Sequence, residues 1–185
     1  MSAIKLISLN VERSKHLDLV LPFLERERAD VVCLQEVSQH DVQAIAAIAG
    51  AHHSFVPMQR RSDSPGNPVH GIGIFSNLPF KESVLYYAGS PESIPESSQD
   101  AALQADPSNK ALLCAEFAEP SPFFIITTHF TWSPRGEATD EQRADMRAML
   151  PLLQQQKEFV FCGDFNAPRG GEIWQMLASN YRDNI

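Results

Sequence analysis

Apolar positions recur along the chain with two periods, and the switches between them mark its elements. Residues 4–10 (IKLISLN) are short, mostly apolar and β-branched-rich, which predicts a strand. Leu17, Val20, Leu21 and Leu24 then fall at helical spacing, and residues 31–37 (VVCLQEV) return to a strand, so the first forty residues predict a βαβ unit. Pro22 lies inside the helical pattern and is expected to kink that helix or delay its start. Residues 38–50 predict a second helix closed by Gly50, followed by strands around 52–58 (HHSFVPM), 71–76 (GIGIFS) and 81–87 (KESVLYY). The stretch 88–109 holds four acids, three prolines and no Lys or Arg, and predicts a long solvated loop. Strands resume at 110–117 (KALLCAEF) and 123–130 (FFIITTHF). A helix is expected next, with Thr139 and Gln142 in capping-box positions and Met146, Met149, Leu150 and Leu153 on one face. A strand running to Asp164 and a short helix bearing Ile173, Met176 and Leu177 end the pattern, with no internal repeat and no linker.

Composition narrows the class. A chain of 185 residues, 43% hydrophobic and 21% charged, is the size of one globular domain. Its opening apolar stretch is too short and too interrupted by charge for a signal peptide, and no run approaches a membrane span, so a cytoplasmic location and no transmembrane segment are expected. Cys33, Cys114 and Cys162 each sit in an apolar strand-like run and are odd in number, which predicts small buried thiols rather than disulfides. No Cys–His spacing suits zinc, leaving oxygen ligands and a hard cation as the metal chemistry open to this chain. A formal charge of −8 opposes binding that depends on neutralising many backbone phosphates, while a short phosphorylated substrate beside a divalent cation remains compatible with it.

The candidate chemistry gathers where strands end. In residues 159–171 (FVFCGDFNAPRGG) an apolar strand runs into Asp164, and alternation along an extended chain would turn Asp164 and Asn166 to one side and Phe165 back to the core. Asp and Asn also form turns through side-chain bonds to nearby backbone, so this spacing fits plain turn chemistry as well. Three more strands end in polar residues: Asn10, Glu36 and His129. Each alone has an ordinary explanation as a cap, a solvated side chain or a satisfied histidine. Together they predict a single cleft on one rim of a sheet. There the carboxylates of Glu36 and Asp164 suit Mg²⁺ and its retained waters, the amides of Asn10 and Asn166 orient phosphate without adding repulsion, and His129 donates a proton or hydrogen bond to phosphate oxygens.

The segments SLN (8–10), CLQEV (33–37), TTHF (127–130) and CGDFNAP (162–168), in this order and at these separations, resemble the endonuclease/exonuclease/phosphatase superfamily with the pancreatic-deoxyribonuclease-like fold. The likeness spans residues 4–179. It implies an α/β four-layer sandwich, two mixed β-sheets packed face to face with helices outside, and a Mg²⁺- or Mn²⁺-dependent phosphoric ester hydrolase. It assigns Glu36 as the metal ligand, Asp164 as the residue that positions or activates water, and Asn10 and Asn166 as the residues that hold phosphate and nucleophile. His129 matches the proton-donating histidine of the deoxyribonuclease, sphingomyelinase and inositol-phosphatase branches, whereas abasic-site endonucleases usually carry tyrosine there. Members normally close with a Ser-Asp-His-like motif, which this sequence lacks, since Asp183 precedes Asn184. Residues 1–185 are therefore expected to be one C-terminally incomplete domain with its last strands missing and an unfinished sheet edge prone to self-association. The expected substrate is a phosphorylated small molecule, a small phosphodiester or a phospholipid head group. The alternatives are a DNA or RNA nuclease, in which Arg60, Arg61, Trp132 and Arg135 grip phosphates or stack on bases, and a catalytically inactive phosphate-ester-binding module.

Overall fold

The computed structural model describes residues 3–62, 66, 68–97, 107–118 and 121–184. Strand β1 (Leu6–Asn10) pairs in parallel with β2 (Val31–Ser38), and α1 (Leu17–Glu27) crosses between them, giving the βαβ unit that the pattern predicts. α1 starts at Leu17 and runs through Pro22, so the proline does not delay it; the helix closes at Arg28, whose left-handed backbone returns its N–H to the Leu24 carbonyl. α2 (Val42–Ala49) ends at Gly50, and β3 (His52–Arg61) and β4 (Val69–Ser76) complete an antiparallel pair beside β2. A two-residue strand, β6 (Glu96–Ser97), adds to β3, so the first sheet has the order β1-β2-β4-β3-β6. The second sheet, in the order β5-β7-β8-β9, is built from β5 (Phe80–Ala88), β7 (Lys110–Phe117), β8 (Phe123–His129) and β9 (Val160–Asp164). β8 and β9 are parallel, and α3 (Asp140–Gln154) crosses between them.

Strand alternation assembles the layers. On β2, Val31 and Cys33 face β7 and β8, where they meet Ala111, Leu113, Ala115, Phe117 and Ile125 in a core between the two sheets. The intervening Val32 and Leu34 pack outward against Val20 and Leu24 of α1 and Ile45 and Ala49 of α2. β7 repeats the arrangement, with Leu112 and Cys114 facing Met146, Met149 and Leu153 of α3 and Ile173 of α4 (Glu172–Ala178). Helices, sheet, sheet and helices thus stack as the expected sandwich of two mixed sheets, and the central strands read as continuous apolar runs because both their faces are buried.

The described part of the stretch 88–109 is largely the solvent-accessible loop that is expected, with two buried anchors. Asn109 is buried, its side chain accepts from the Ser90 N–H and donates to the carbonyls of Ser90 and Ser93, and β6 pairs with the end of β3. An amide with several bonding atoms ties the described part of this segment to the sheet despite its acidic composition, and Ser97 is buried there. Residues 98–106 lie outside the described residues. All three cysteines are free thiols, with Cys33 and Cys114 buried and Cys162 half-buried. Burial pushes the Cys114 thiol up to about 11.

Candidate active site

Four strands from both sheets deliver the site. β1 ends at Asn10 and β9 at Asp164, which pairs with His129 at the end of β8. Gly163, the residue before Asp164, has φ +142, and a Cβ there would lie 2.1 Å from the Thr128 carbonyl oxygen, so only glycine lets β9 approach β8 this closely. Glu36 lies where the β2–β4 register slips between Leu34 and Val37, with φ +59. A left-handed backbone at a non-glycine residue inside a strand is costly, and it persists here at the residue that the family resemblance implies as a metal ligand.

Asn10 ties the two sheets together at the site. Its Nδ2 donates to Glu36 Oε1 at 3.1 Å and to Asp164 Oδ2 at 2.9 Å, while its Oδ1 accepts from the Glu12 N–H at 2.9 Å. His129 Nε2 stands 3.8 Å from Glu36 Oε1 and 3.9 Å from Asp164 Oδ2. Asn166 joins by another route than strand alternation. β9 has ended, Asn166 has φ +46, its N–H donates to Asp164 Oδ1 at 2.9 Å, and its Nδ2 donates to the Phe130 carbonyl at 2.8 Å. The turn reading of Asp-Phe-Asn is the one the backbone follows: the Asp164 turn bond, not strand alternation, brings Asn166 to the cleft, while Phe165 turns back edge-on against Phe161.

Behind this first set lies a layer that the pattern of the sequence does not reveal. Gln142, in the first turn of α3, is buried, and its Nε2 donates to the carbonyls of Thr131 at 2.7 Å and Asn166 at 3.1 Å. The expected capping box is thus half made: Thr139 Oγ1 accepts from the Gln142 N–H, but the Gln142 side chain holds the site loops instead of returning to the cap. The Thr131 hydroxyl donates to Asp145 on α3, and Tyr87 bonds Thr128 beside His129. Burial pushes the Tyr87 phenol far above its ordinary range. Gln35, also buried, donates to Thr127 Oγ1 across the sheets at 3.1 Å.

Glu36, His129 and Asn166 line a cleft of about 460 Å³ that also takes in Arg13, Arg61, His70 and Trp132. Of the four residues expected to grip a polyanion, Arg61 and Trp132 reach it. Arg60 and Arg135 are not among its lining residues: neighbours on β3 point to opposite faces, and Arg135 sits exposed on a left-handed turn beyond the cleft. Arg13 and His70 line the cleft without having been singled out. Arg13 lies in a charged run that reads as solvated surface, and a lone histidine before Gly71 carries no motif. His70 is held below the ordinary histidine range first by burial and then by the neighbouring Arg13 guanidinium.

The donor set suits a small oxygen-seeking cation. Two carboxylates from different sheets share one amide, and Mg²⁺ is commonly held by one or two carboxylates while keeping several waters. Among the described residues no group of three or more His, Cys, Asp or Glu side chains is placed to hold a metal ion.

The sequence model of the Endonuclease/Exonuclease/phosphatase family matches residues 7–183. The chain belongs to this family. Family members are hydrolases that act on phosphoesters. The sandwich is similar to the endonuclease/exonuclease/phosphatase from Bacteroides vulgatus, with 18% identity and a TM-score of 0.65 over 97% of this chain and 72% of that one. It is also similar to the mannosyl-6-phosphatase of Bacteroides thetaiotaomicron, with 12% identity and a TM-score of 0.63 over 96% and 70%. A third likeness is to sphingomyelinase C from Streptomyces griseocarneus, with 16% identity and a TM-score of 0.59 over 97% and 70%. At these identities the likeness is one of fold. No curated protein sequence matches the chain. No helix among the described residues is long and apolar enough to cross a membrane.

Proposed function

We propose that the chain is a divalent-metal-dependent phosphoester hydrolase that acts on a small phosphodiester at the cleft lined by Glu36, His129 and Asn166. One observation carries the reading: Asn10 spans Glu36 and Asp164 while His129 Nε2 stands within 4 Å of both carboxylates. Glu36 is the residue to hold the ion, which when bound supplies polarisation of a phosphoryl oxygen. Asp164, with Oδ1 fixed by the Asn166 N–H and Oδ2 by Asn10, is oriented to accept a proton from an attacking water. His129 donates to phosphoryl oxygens as charge develops there. Asn10 spends its amide on the two carboxylates, so its contribution is to set their spacing. A cleft of about 460 Å³ falls in the range of small-molecule sites and, with the net charge of −8, supports a small ester over a long nucleic acid. The fold likenesses to a sugar phosphatase and a sphingomyelinase are consistent with such esters.

The test is hydrolysis of bis(p-nitrophenyl) phosphate, p-nitrophenyl phosphate and single-stranded DNA with Mg²⁺, Mn²⁺ or EDTA. Turnover is expected with metal, absent in EDTA, fastest on the diester and reduced roughly 10²–10⁴-fold in Asp164→Ala, the usual range for a general base. Equal turnover in EDTA would overturn the reading, and metal-dependent binding without turnover would make the chain a binding module.

A further inference from the structure

Three side chains in the cleft take no part in the chemistry proposed above. Arg13 comes from the turn after β1, Arg61 from the end of β3 and His70 from the start of β4. Their approach is built into the backbone. Glu12, Arg13 and Ser14 have φ of +45, +58 and +59, three successive left-handed residues without a glycine, a run that L-residues adopt only under constraint. The constraints are visible: Val11 is buried with its N–H on the Gln35 carbonyl, the Glu12 N–H is on Asn10 Oδ1, and Ser14 Oγ accepts from the Ser38 N–H. The strained turn brings the Arg13 guanidinium to 3.9 Å from Glu36.

His70 is 7% exposed, lines the cleft, and its Nδ1 is buried with no hydrogen-bond partner among the described residues. Buried polar atoms are normally satisfied, so in the tautomer that carries its proton on Nδ1 the ring holds a donor without an acceptor, in a residue that lines the cleft with Arg13 and Arg61. Arg13 and Arg61 both act on His70 to disfavour its protonation, with Glu36 and Asp41 opposing them, so the two guanidiniums lie within reach of the ring. Glu12, which also lines the cleft, would repel an anion, but its carboxylate is engaged by Lys15 Nζ at 2.5 Å and His16 Nε2 at 3.3 Å. Met58 and Trp132 offer apolar surface in the same cleft.

The geometry points to a second oxyanion subsite, formed by Arg13, Arg61 and His70 beside the reaction centre, that makes the substrate a small ester with two separated anionic groups. The subsite takes the phosphate or carboxylate remote from the scissile phosphate, with guanidinium forks suited to either. The connecting carbon skeleton lies on Met58 and Trp132. As a statement about substrate this inference rests on the hydrolase reading, while the binding of an oxyanion does not.

Two measurements separate these layers. The first is calorimetric titration of inorganic phosphate in EDTA at fixed ionic strength, where the metal makes no contribution. The protein is expected to bind phosphate, Arg13→Gln and Arg61→Gln to weaken it at least tenfold each, and Arg147→Gln, on the exposed face of α3, to leave it unchanged. No binding to the parent protein, or the same loss in Arg147→Gln, would overturn the subsite. The second compares p-nitrophenyl ethyl phosphate with p-nitrophenyl 2-carboxyethyl phosphate under Mn²⁺; both release p-nitrophenolate, so only the remote group differs. The carboxylate ester is expected to show a kcat/KM at least tenfold higher, an advantage that shrinks toward one in Arg61→Gln. Equal rates would overturn the substrate assignment, and this comparison needs only the parent protein. If neither ester turns over while phosphate binding still depends on Arg13 and Arg61, the hydrolase reading falls and the subsite stands.

Discussion

A primary amide carries two N–H donors, and Asn10 gives one to each carboxylate of the site. Replacing it with alanine removes the shared donor that sets the spacing of the two acids. Asn10→Ala is expected to lose roughly 10²-fold in turnover while keeping its fold, which assays beside circular dichroism would check. Glu36 supplies the complementary case. Its left-handed backbone costs about 1–3 kcal/mol, so Glu36→Gly is expected to unfold at higher denaturant than the parent protein while losing activity; a lower midpoint would contradict the account of strain. His70 carries a pH signature. Its folded value lies below 6.5 because of burial, Arg13 and Arg61, opposed by Glu36 and Asp41. Between that value and 6.5 the unfolded chain binds more protons than the folded one, so this contribution to stability is present above pH 6.5 and lost as pH falls through the window. Denaturant midpoints between pH 5 and 7 should therefore fall less steeply in His70→Gln. Asn10, Glu36, His129 and Asp164 were legible in the sequence because a polar residue ending an apolar strand breaks a strong pattern. Arg13 and His70 were not, since one depends on a strained turn and the other on burial by residues distant in sequence.

Helix α3 separates a local role from a tertiary one within four residues. Thr139 caps the helix through the Gln142 N–H, and Thr139→Ala should cost about 1 kcal/mol with little change in activity. Gln142 instead holds the carbonyls of Thr131 and Asn166, so Gln142→Leu should leave both unsatisfied, cost about 1–3 kcal/mol and lower turnover more than Thr139→Ala does at matched stability. A thermal melt and a kcat measurement on both variants decide it. The helices and strands were readable because their periods are strong and their lengths ordinary. The described part of the segment after β5 is the largely solvent-accessible loop that its composition predicts, and what composition does not report is the buried side chain of Asn109 that anchors it. Asn166 reaches the cleft by a route that alternation does not predict, since the strand has ended and the turn bond to Asp164 takes over.

At the scale of the molecule, the core between the sheets is what holds the two halves of the site in register. Phe117 is fully buried there and stacks on Phe123 with centroids 4.4 Å apart. Phe117→Ala should cost about 3–5 kcal/mol, with activity lost alongside the fold in urea titrations. β9 is bonded to β8 on one side, and Val160 on it is 52% exposed. An open strand edge templates pairing with another chain, so self-association is expected in light scattering at high concentration, and a clean monomer would count against it. The sandwich itself was legible through the family resemblance carried by residues 8–10, 33–37, 127–130 and 162–168, whereas the bond that closes the site, from Asn10 to Asp164, joins residues 154 positions apart that only the packed sheets bring together. The most direct test of the central claim is turnover of bis(p-nitrophenyl) phosphate against Mn²⁺ concentration for the parent protein and Glu36→Gln. A saturable metal dependence that Glu36→Gln shifts to much higher Mn²⁺, or abolishes, is the predicted result; superimposable curves would place the metal elsewhere and contradict the site described here.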